Sequence, residues 1–464
     1  MNQVTGQPSL EEFLKGIPDL VDYFYNDTTA PHSKDRSGLT PVPAEFGNWV
    51  DEQKAWRDGA VLFDQSHHMP EMFLKGPDAF RMLNGIGINS FDKFVPGKAK
   101  QFVACNHDGH MIGECVLFYL AENSFELVSG MHMQNWVEYH ATTGGYDVTI
   151  ERDLPTSVNP RGRTQFRFGL DGPASDEIFA AVIEGPAPNI PFFNFARVRI
   201  AGCDVLALRH GMAGGRGVEL AGHIADGPKV REALLKAGAT LGLRPGGTSA
   251  YFSGNTEGGW MPYPLPAVYT GTELKAYREW LPASSWETSS QLGGSFRARR
   301  IEDYYVTPWD MGYDRILKFD HDFIGGKALQ RAAEGPRRTA VTLVWNVDDV
   351  VDIFRSQLED EMPYKQLRFP MASYSFQQND EVRDASGDLI GLSNFCGYSA
   401  NERKVMSLAN VARDKATPGL DVTVTWGEPD GGSRKRHVER HRQKVVRAQV
   451  APWPYAMAAQ RRPT

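Results

Sequence analysis

Apolar and polar residues repeat along this chain in two periods, and the switches between them mark out the elements. Residues 9–30 place apolar side chains at helical spacing, with Ser9 followed three residues later by Glu12, and predict a short amphipathic helix with a capping box. WVDEQKAWRDGAVLFDQS, from Trp49, predicts a helix running into a strand. GPDAFRMLNGIG predicts a helix opened by Gly76-Pro77, since proline is tolerated in a first turn. KAKQFVACN, GECVLFYLA and SFELVSG alternate at period two between Asn, Asp and Gly turns, an antiparallel meander, and MQNWVEYHATTGG returns to helical period. A comparable set recurs after residue 164, as TQFRFGLDGP, DEIFAAVIEG, FARVRIAGCDVLALRHG, VELAGH and KVREALLKAGATLGL. Two strand-helix-strand halves of similar order imply an internally duplicated α+β unit. Residues 335–450 are short strands separated by turns, the pattern of a small β-barrel or sandwich joined on near Gly335-Pro336. The expected organisation is therefore an N-terminal helix and covering loop over 1–48, a duplicated α+β domain over 49–334, and a β-barrel-like domain over 335–464.

Composition narrows the class. The 464 residues are 41% hydrophobic and 23% charged, enough to bury large cores. A formal charge of −7 gives no electrostatic reason to expect nucleic acid or an anionic membrane as partner. The basic run Arg434, Lys435 and Arg436 reads as a solvated face. Cys105, Cys115, Cys203 and Cys396 stand far apart with no CxxC pair, which points to a reducing compartment. The N-terminus lacks a signal-peptide layout, and no apolar run approaches the roughly 20 residues of a membrane span. A cytoplasmic, soluble monomer or homodimer is expected.

Familiar chemical motifs are missing. There is no HExxH; His67 and His68 are adjacent rather than four apart; Asp320, His321 and Asp322 form no ligand spacing, so no metal is expected. FIGGKAL lacks phosphate-loop spacing, Gly85 and Gly87 complete no GxGxxG, and no GxSxG elbow occurs.

Several longer segments, in order along nearly the whole chain, carry a resemblance: AVLFDQSHHMPEMFLKGPDAFRMLN, GKAKQFVACNHDGHMIGE, LRHGMAGGRGVEL, FDHDFIGGKAL and GLSNFCGYSANERKVMSLANV. They resemble the aminomethyltransferase superfamily typified by the glycine-cleavage T-protein. That resemblance implies an α+β fold with a three-subdomain ring around a folate channel, the last subdomain β-barrel-like. WRDGAVLFDQSHHM, GTSAYFSGNTEGGWMPYPLPAVYTGTELKAYREWLPASSWE and IEDYYVTPWDMGYDRILKFDHDFIG are most similar to the tetrahydrofolate-dependent aryl O-demethylases of vanillate, 3-O-methylgallate and syringate. The implied reaction moves methyl from an aryl methyl ether to N5 of tetrahydrofolate. Chlorinated methoxybenzoates such as dicamba fit the same scaffold.

Such a displacement needs nitrogen, methyl carbon and ether oxygen in line, and a proton or hydrogen bond at the departing oxygen. By the resemblance Tyr251 supplies it, a phenol of ordinary pKa about 10 matched to the leaving group, with His68 orienting the phenol. The alternatives are a packed aromatic and a satisfied core histidine. The resemblance places Glu219 on the donor edge of the pterin, where a carboxylate accepts paired hydrogen bonds; the alternative is a solvent-facing strand residue. Gln65 is implied as a polar contact to folate, Trp260 as a stacking wall, and Glu114 as the acidic residue near the folate nitrogens, where relatives carry Asp.

Departures gather around the substrate. Counting back from Trp136 puts Gly130 where vanillate-type enzymes carry a carboxylate-binding arginine, and glycine offers no guanidinium. His132 and Met131 are the candidates for substrate contact there. A family tyrosine pair is matched by Ser37 and Leu39, while Tyr23 and Tyr25 keep the spacing earlier in the chain, which makes Tyr25 a third substrate candidate; the alternative is that both are helix-face residues. Asp171 stands where relatives commonly have Gln. Two other functions compete: S- or N-demethylation of a small compound such as dimethylsulfoniopropionate, and a non-catalytic folate-binding scaffold. The Tyr251–Trp286 stretch argues against the first. FDHDFIGGKAL has none of the cysteine that scaffold relatives carry, which argues against the second.

Overall fold

A computed structural model describes residues 7–28, 41–212, 215–372 and 374–456. Ser37 and Leu39 lie outside them.

The first expected helix is two. α1 (Leu10–Lys15) carries the capping box, with Ser9 accepting from the Glu12 amide and Glu12 accepting from that of Ser9. Gly16 and Pro18 end it, and Asp19 caps α2 (Leu20–Asn26). Proline cannot continue a helix because it lacks the donor and its ring clashes with the preceding turn. Helix α3 (Trp49–Asp58) then runs into β1 (Ala60–Asp64) as expected.

The chain next builds β2 (Glu71–Lys75), α4 (Ala79–Ile86), β3 (Ala99–Cys105), β4 (Met111–Ala121), β5 (Ser124–Ser129), α5 (Met131–Thr143) and β6 (Thr149–Asp153). These five strands form one sheet in the order β3-β4-β5-β2-β6. The second run gives β7 (Gln165–Asp171), α6 (Ser175–Val182), β8 (Phe195–Ile200), β9 (Cys203–Leu208), β10 (Gly217–His223), α7 (Gly227–Gly238), β11 (Leu243–Gly246) and α8 (Thr248–Gly258). Its strands take in β1 to make a six-stranded sheet, β11-β1-β7-β10-β9-β8. The two runs share a strand-Gly-Pro-helix turn, in which Gly76 and Gly172 both take positive φ, 144° and 123°. Other residues adopt that backbone at a steric cost.

Period-two alternation divides each sheet into faces. In the six-stranded sheet Leu62, Phe168, Leu170, Val218 and Leu220 pack with α6 and α7 residues in one core. The alternate positions Arg167, Gly169, Asp171, Gly217 and Glu219 fall on the opposite face. In the five-stranded sheet Met72, Leu74, Leu117, Phe125 and Leu127 join a core with Met133, Trp136 and Val137 of α5. Its other face carries Glu71, Glu114 and Glu126. The two carboxylate-bearing faces meet: Phe118 and Val128 of one sheet cluster with Leu206 and Leu208 of the other.

The C-terminal part is a closed barrel of six strands, Arg338–Trp345, Lys404–Ala412, Leu389–Ser399, Asp380–Arg383, Asp421–Trp426 and Lys444–Ala451. Inside it lie Val341, Leu343, Val382, Val424 and Trp426. Fully buried Lys365 donates to Glu428 at 2.6 Å, and the Gly294 amide donates to the same carboxylate at 3.0 Å. No helix among the described residues is long and apolar enough to cross a membrane, and no group of three or more His, Cys, Asp or Glu among them could hold a metal ion.

Candidate active site

Where the two sheets meet lies a cavity of ≈ 2010 Å³, larger than the roughly 300–1,000 Å³ of a site for one small molecule. Glu219 on β10 lines it, buried on the inner face opposite Gly169. A strand of alternating polarity facing water would expose such a residue; here the second sheet covers it. Its Oε1 accepts from Nη1 of Arg167, whose guanidinium is buried to 1% exposure. The other Arg167 nitrogens reach Glu71 at 2.9 Å and Glu126 at 2.5 Å, across the junction between sheets. Arg163 adds a second cation, near Glu71 and Asp153 at 3.6 Å each. Four carboxylates thus share two guanidiniums. Burial, with Glu71 and Glu219 nearby, pushes the Glu126 carboxyl up to about 7 despite Arg167.

Gln65 follows β1, tied by its amide to the Arg167 carbonyl at 2.8 Å. Its side chain is 1% exposed and neither amide atom has a hydrogen-bond partner among the described residues. An ideal Cβ at Gly169 would sit 3.0 Å from its Nε2. A buried primary amide without partners is costly in a folded protein and marks a place built for a polar ligand or water.

Glu114, on β4, also lines the cavity, and its carboxylate is already engaged. Trp260 Nε1 and the Tyr313 hydroxyl donate to it, and Gln101 Nε2 donates at 2.5 Å. Burial raises its pKa while those three donors lower it. Trp260 and Tyr313 line the same wall.

Tyr251 lies in α8, which Trp56 of α3 anchors through a 2.9 Å hydrogen bond to Glu257. Its ring meets His68 at 4.9 Å, Phe63 at 5.2 Å and Phe252 at 5.1 Å, all edge to face. It borders a side cavity of ≈ 10 Å³ that it shares with His68 and Phe252, both of which also line the main cavity. Burial raises the phenol well above its ordinary value, reinforced by Tyr263, Glu219 and Asp171. The hydroxyl therefore holds its proton more tightly than an ordinary phenol.

Rings continue from Tyr263 to Trp286 at 6.5 Å and from Trp286 to His132 at 4.8 Å. His132 and Met131, at the start of α5, line the cavity. Burial lowers His132 to about 4, so the imidazole is neutral. Tyr25 is elsewhere. Its hydroxyl donates to the Gly294 carbonyl, its ring is 1% exposed in the core under α2, and it does not line the cavity, so the substrate assignment for Tyr25 is corrected. Both tyrosines lie in α2, and Tyr25 is on its buried face while Tyr23 is not.

The cavity thus gathers Glu219, Glu114, Trp260, His68, His132 and Met131, while Tyr251 borders the small side cavity and Gln65 lies against Gly169 of β7. Arg167, Glu71, Glu126 and Tyr313 escaped the sequence reading. TQFRFGLDGP held the signal for Arg167, a charge at the period-two positions shared with Gly169 and Asp171. Nothing local marks Tyr313.

Residues 25–265 match the family described as GCVT N-terminal domain. The chain is 43% identical to a syringate O-demethylase of Sphingobium sp. over 97% of its length and 96% of that protein's. It is 30% identical to a sesamin methylene transferase of Sinomonas sp., covering 89% of this chain and 90% of that one. The glycine cleavage system aminomethyltransferase T from Bartonella henselae superposes with a TM-score of 0.62, at 17% identity over 92% of this chain and 95% of the other, a likeness of fold.

Proposed function

The chain belongs to the GCVT N-terminal domain family, and from that premise we propose that it is an enzyme that transfers methyl from an aryl methyl ether to tetrahydrofolate. The observation that carries the reaction is the near-full-length similarity to a syringate O-demethylase. The residues present fit the cofactor: Glu219 offers a carboxylate to a donor-rich pyrimidine edge, the Gln65 amide has unmet donors and acceptors, and the cavity has room for cofactor and substrate together. Glu219, Gln65 and Trp260 would hold tetrahydrofolate, with Glu114 fixing Trp260 from behind.

When bound, tetrahydrofolate supplies N5 as the methyl acceptor. Transfer of the methyl to that amine would leave the bonding pair on the aryl oxygen, and the proton the amine then releases would make up the phenol. Tyr251, protonated, donates a hydrogen bond to that oxygen as negative charge develops, which lowers the barrier only in the transition state. His68 packs edge-on against the phenol and limits its rotation. The aromatic run Tyr263, Trp286 and His132 walls the aryl ring.

The test is a chromatographic turnover assay, with and without tetrahydrofolate, on vanillate, syringate, 3-O-methylgallate, guaiacol, 2-methoxybenzoate and its dichlorinated analogue. Phenol formation that strictly requires tetrahydrofolate is expected. No phenol from any ether would sink the reading. The likeness to a sesamin methylene transferase favours a second reading, removal of a methylene from an aryl methylenedioxy ring; a methylenedioxybenzene in the same panel separates the two.

A further inference from the structure

The aryl-ether reading gives Tyr251 a task that depends on where its hydroxyl points, and helix α8 cannot fix that direction alone. The helix has 11 residues, TSAYFSGNTEG, rich in Thr, Ser, Asn and Gly. These are weak helix formers, and an isolated helix of that length is marginal in water. Its place is therefore set by what grips it.

The grip comes from one side. Ser253 and Glu257 lie one turn apart and share a face, whereas Tyr251 projects about 200° around the axis from Ser253. Gln53 of α3 donates to the Ser253 hydroxyl at 2.7 Å and to the Tyr398 carbonyl at 3.2 Å, and accepts from the Ala400 amide at 2.7 Å. Glu257, 1% exposed, carries the rest. Trp56 donates to it from α3, the Ser399 hydroxyl donates to its Oε1, and Asn401 Nδ2 reaches both its oxygens, at 3.1 and 3.2 Å. Arg57 brings a cation at 3.5 Å while also holding Glu402 at 2.5 Å. Ser399, Asn401 and Glu402 belong to the turn between the barrel strands Leu389–Ser399 and Lys404–Ala412. At the end of α8, Trp453, just past the last barrel strand, donates to the Gly259 carbonyl at 2.7 Å. Glu257, Ser399 and Asn401 stand outside the lining of the cavity.

We propose that Glu257 is a positioning residue that couples the barrel turn to the hydroxyl of Tyr251, so that the C-terminal domain takes part in methyl transfer from outside the cavity. The proposal rests on the aryl-ether reading. A buried carboxylate is costly unless it is paired and hydrogen-bonded, so Glu257 holds α3 and the barrel turn together on one face of α8. A helix that shifts carries the residues of its opposite face with it. Displacing the phenol by about 1 Å is enough to lose much of the effect of a donor aimed at the departing oxygen.

The experiment is a double-mutant cycle on the full chain, using the ether of the panel that is turned over fastest. Glu257→Gln keeps the shape of the side chain and turns one acceptor into a donor. Asn401→Ala loosens the same contact from the barrel side at a half-buried residue, which guards against a variant that fails to fold. Each is expected to lower kcat about tenfold and to leave KM for tetrahydrofolate and for the ether within about twofold. In a Tyr251→Phe background, read by single turnover with protein in excess, either substitution should cost little more, because the group it misplaces is gone. Losses that multiply with that of Tyr251→Phe would overturn the positioning role. So would an unchanged kcat in both variants, or a rise in KM as large as the fall in kcat. Absence of phenol from the wild-type protein would overturn the aryl-ether reading beneath it.

Discussion

The two faces of the five-stranded sheet carry opposite chemistry. On the inner face Glu71 and Glu126, joined by Glu219 from the other sheet, crowd around one guanidinium, Arg167, which is sealed from solvent. On the outer face Arg152 lies along α5 among neutral amides and one carboxylate, partly exposed, with a thioether at its last nitrogen. The inner arrangement has surplus acceptors, three carboxylates to one guanidinium. The outer one has the fewer charged acceptors, one carboxylate for its guanidinium. The two arginines thus differ in the ratio of donors to acceptors around them.

Removing each cation is the strongest way to break that comparison. Arg167→Met leaves three carboxylates without their shared guanidinium and should cost about 3–5 kcal/mol of stability in chemical denaturation. Arg152→Met, at a partly exposed pair, should cost about 1 kcal/mol or less. Equal losses would mean that the two arginines serve the same structural purpose.

Tyr251→Phe should cut turnover about a hundredfold or more while leaving tetrahydrofolate binding intact, the scale of losing one general acid or donor at the leaving group; unchanged turnover would remove Tyr251 from the chemistry. Glu219→Gln replaces a two-oxygen acceptor by an amide. It should weaken tetrahydrofolate binding about tenfold and binding of the aryl ether little, as read by calorimetric titration of each ligand alone. Comparable losses for both would place Glu219 in the frame of the cavity instead of at its donor-reading end.

A further effect of about 1 kcal/mol is expected on pH dependence. The Glu126 carboxyl, at about 7, lies above the usual carboxylate range because burial disfavours its charge, and Arg167 compensates only in part. An acid whose pKa is raised on folding holds its proton longer in the folded state. Its contribution is therefore fully present at low pH and is lost as pH climbs through about 7. Glu126→Gln should flatten this decline, so that the variant gains about 1 kcal/mol on the wild type between pH 5.5 and 7.5. Taking the difference between the two proteins cancels the opposite trend of His132 and His140, both lowered to about 4 by burial. A constant difference across that range would show that Glu126 does not titrate there.

Much of this was legible before any coordinates. The capping box at Ser9, the strand of AVLFD, the Gly-Pro helix starts and the short C-terminal strands all rest on local patterns of backbone and polarity, and all appear in the fold. Pro18, read past in the sequence, split the first helix. Glu219, Trp260, His68 and His132 line the cavity and Tyr25 does not, because i,i+2 spacing says nothing about which way a helix packs.

By itself the sequence determined the elements, the alternation that gives each sheet an apolar face, and the family to which this chemistry belongs. Tertiary structure alone decided which strands share a sheet, so that β1 leaves its sequence neighbours to pair with β7 and β11. It alone brought Glu71, Glu126 and Glu219 from 71, 126 and 219 onto one guanidinium, and set Arg152 beside the first turn of a helix that precedes it in the chain. The reason is physical. Periodicity records which residues avoid water, whereas charge pairing and burial depend on distances between segments that no local pattern encodes.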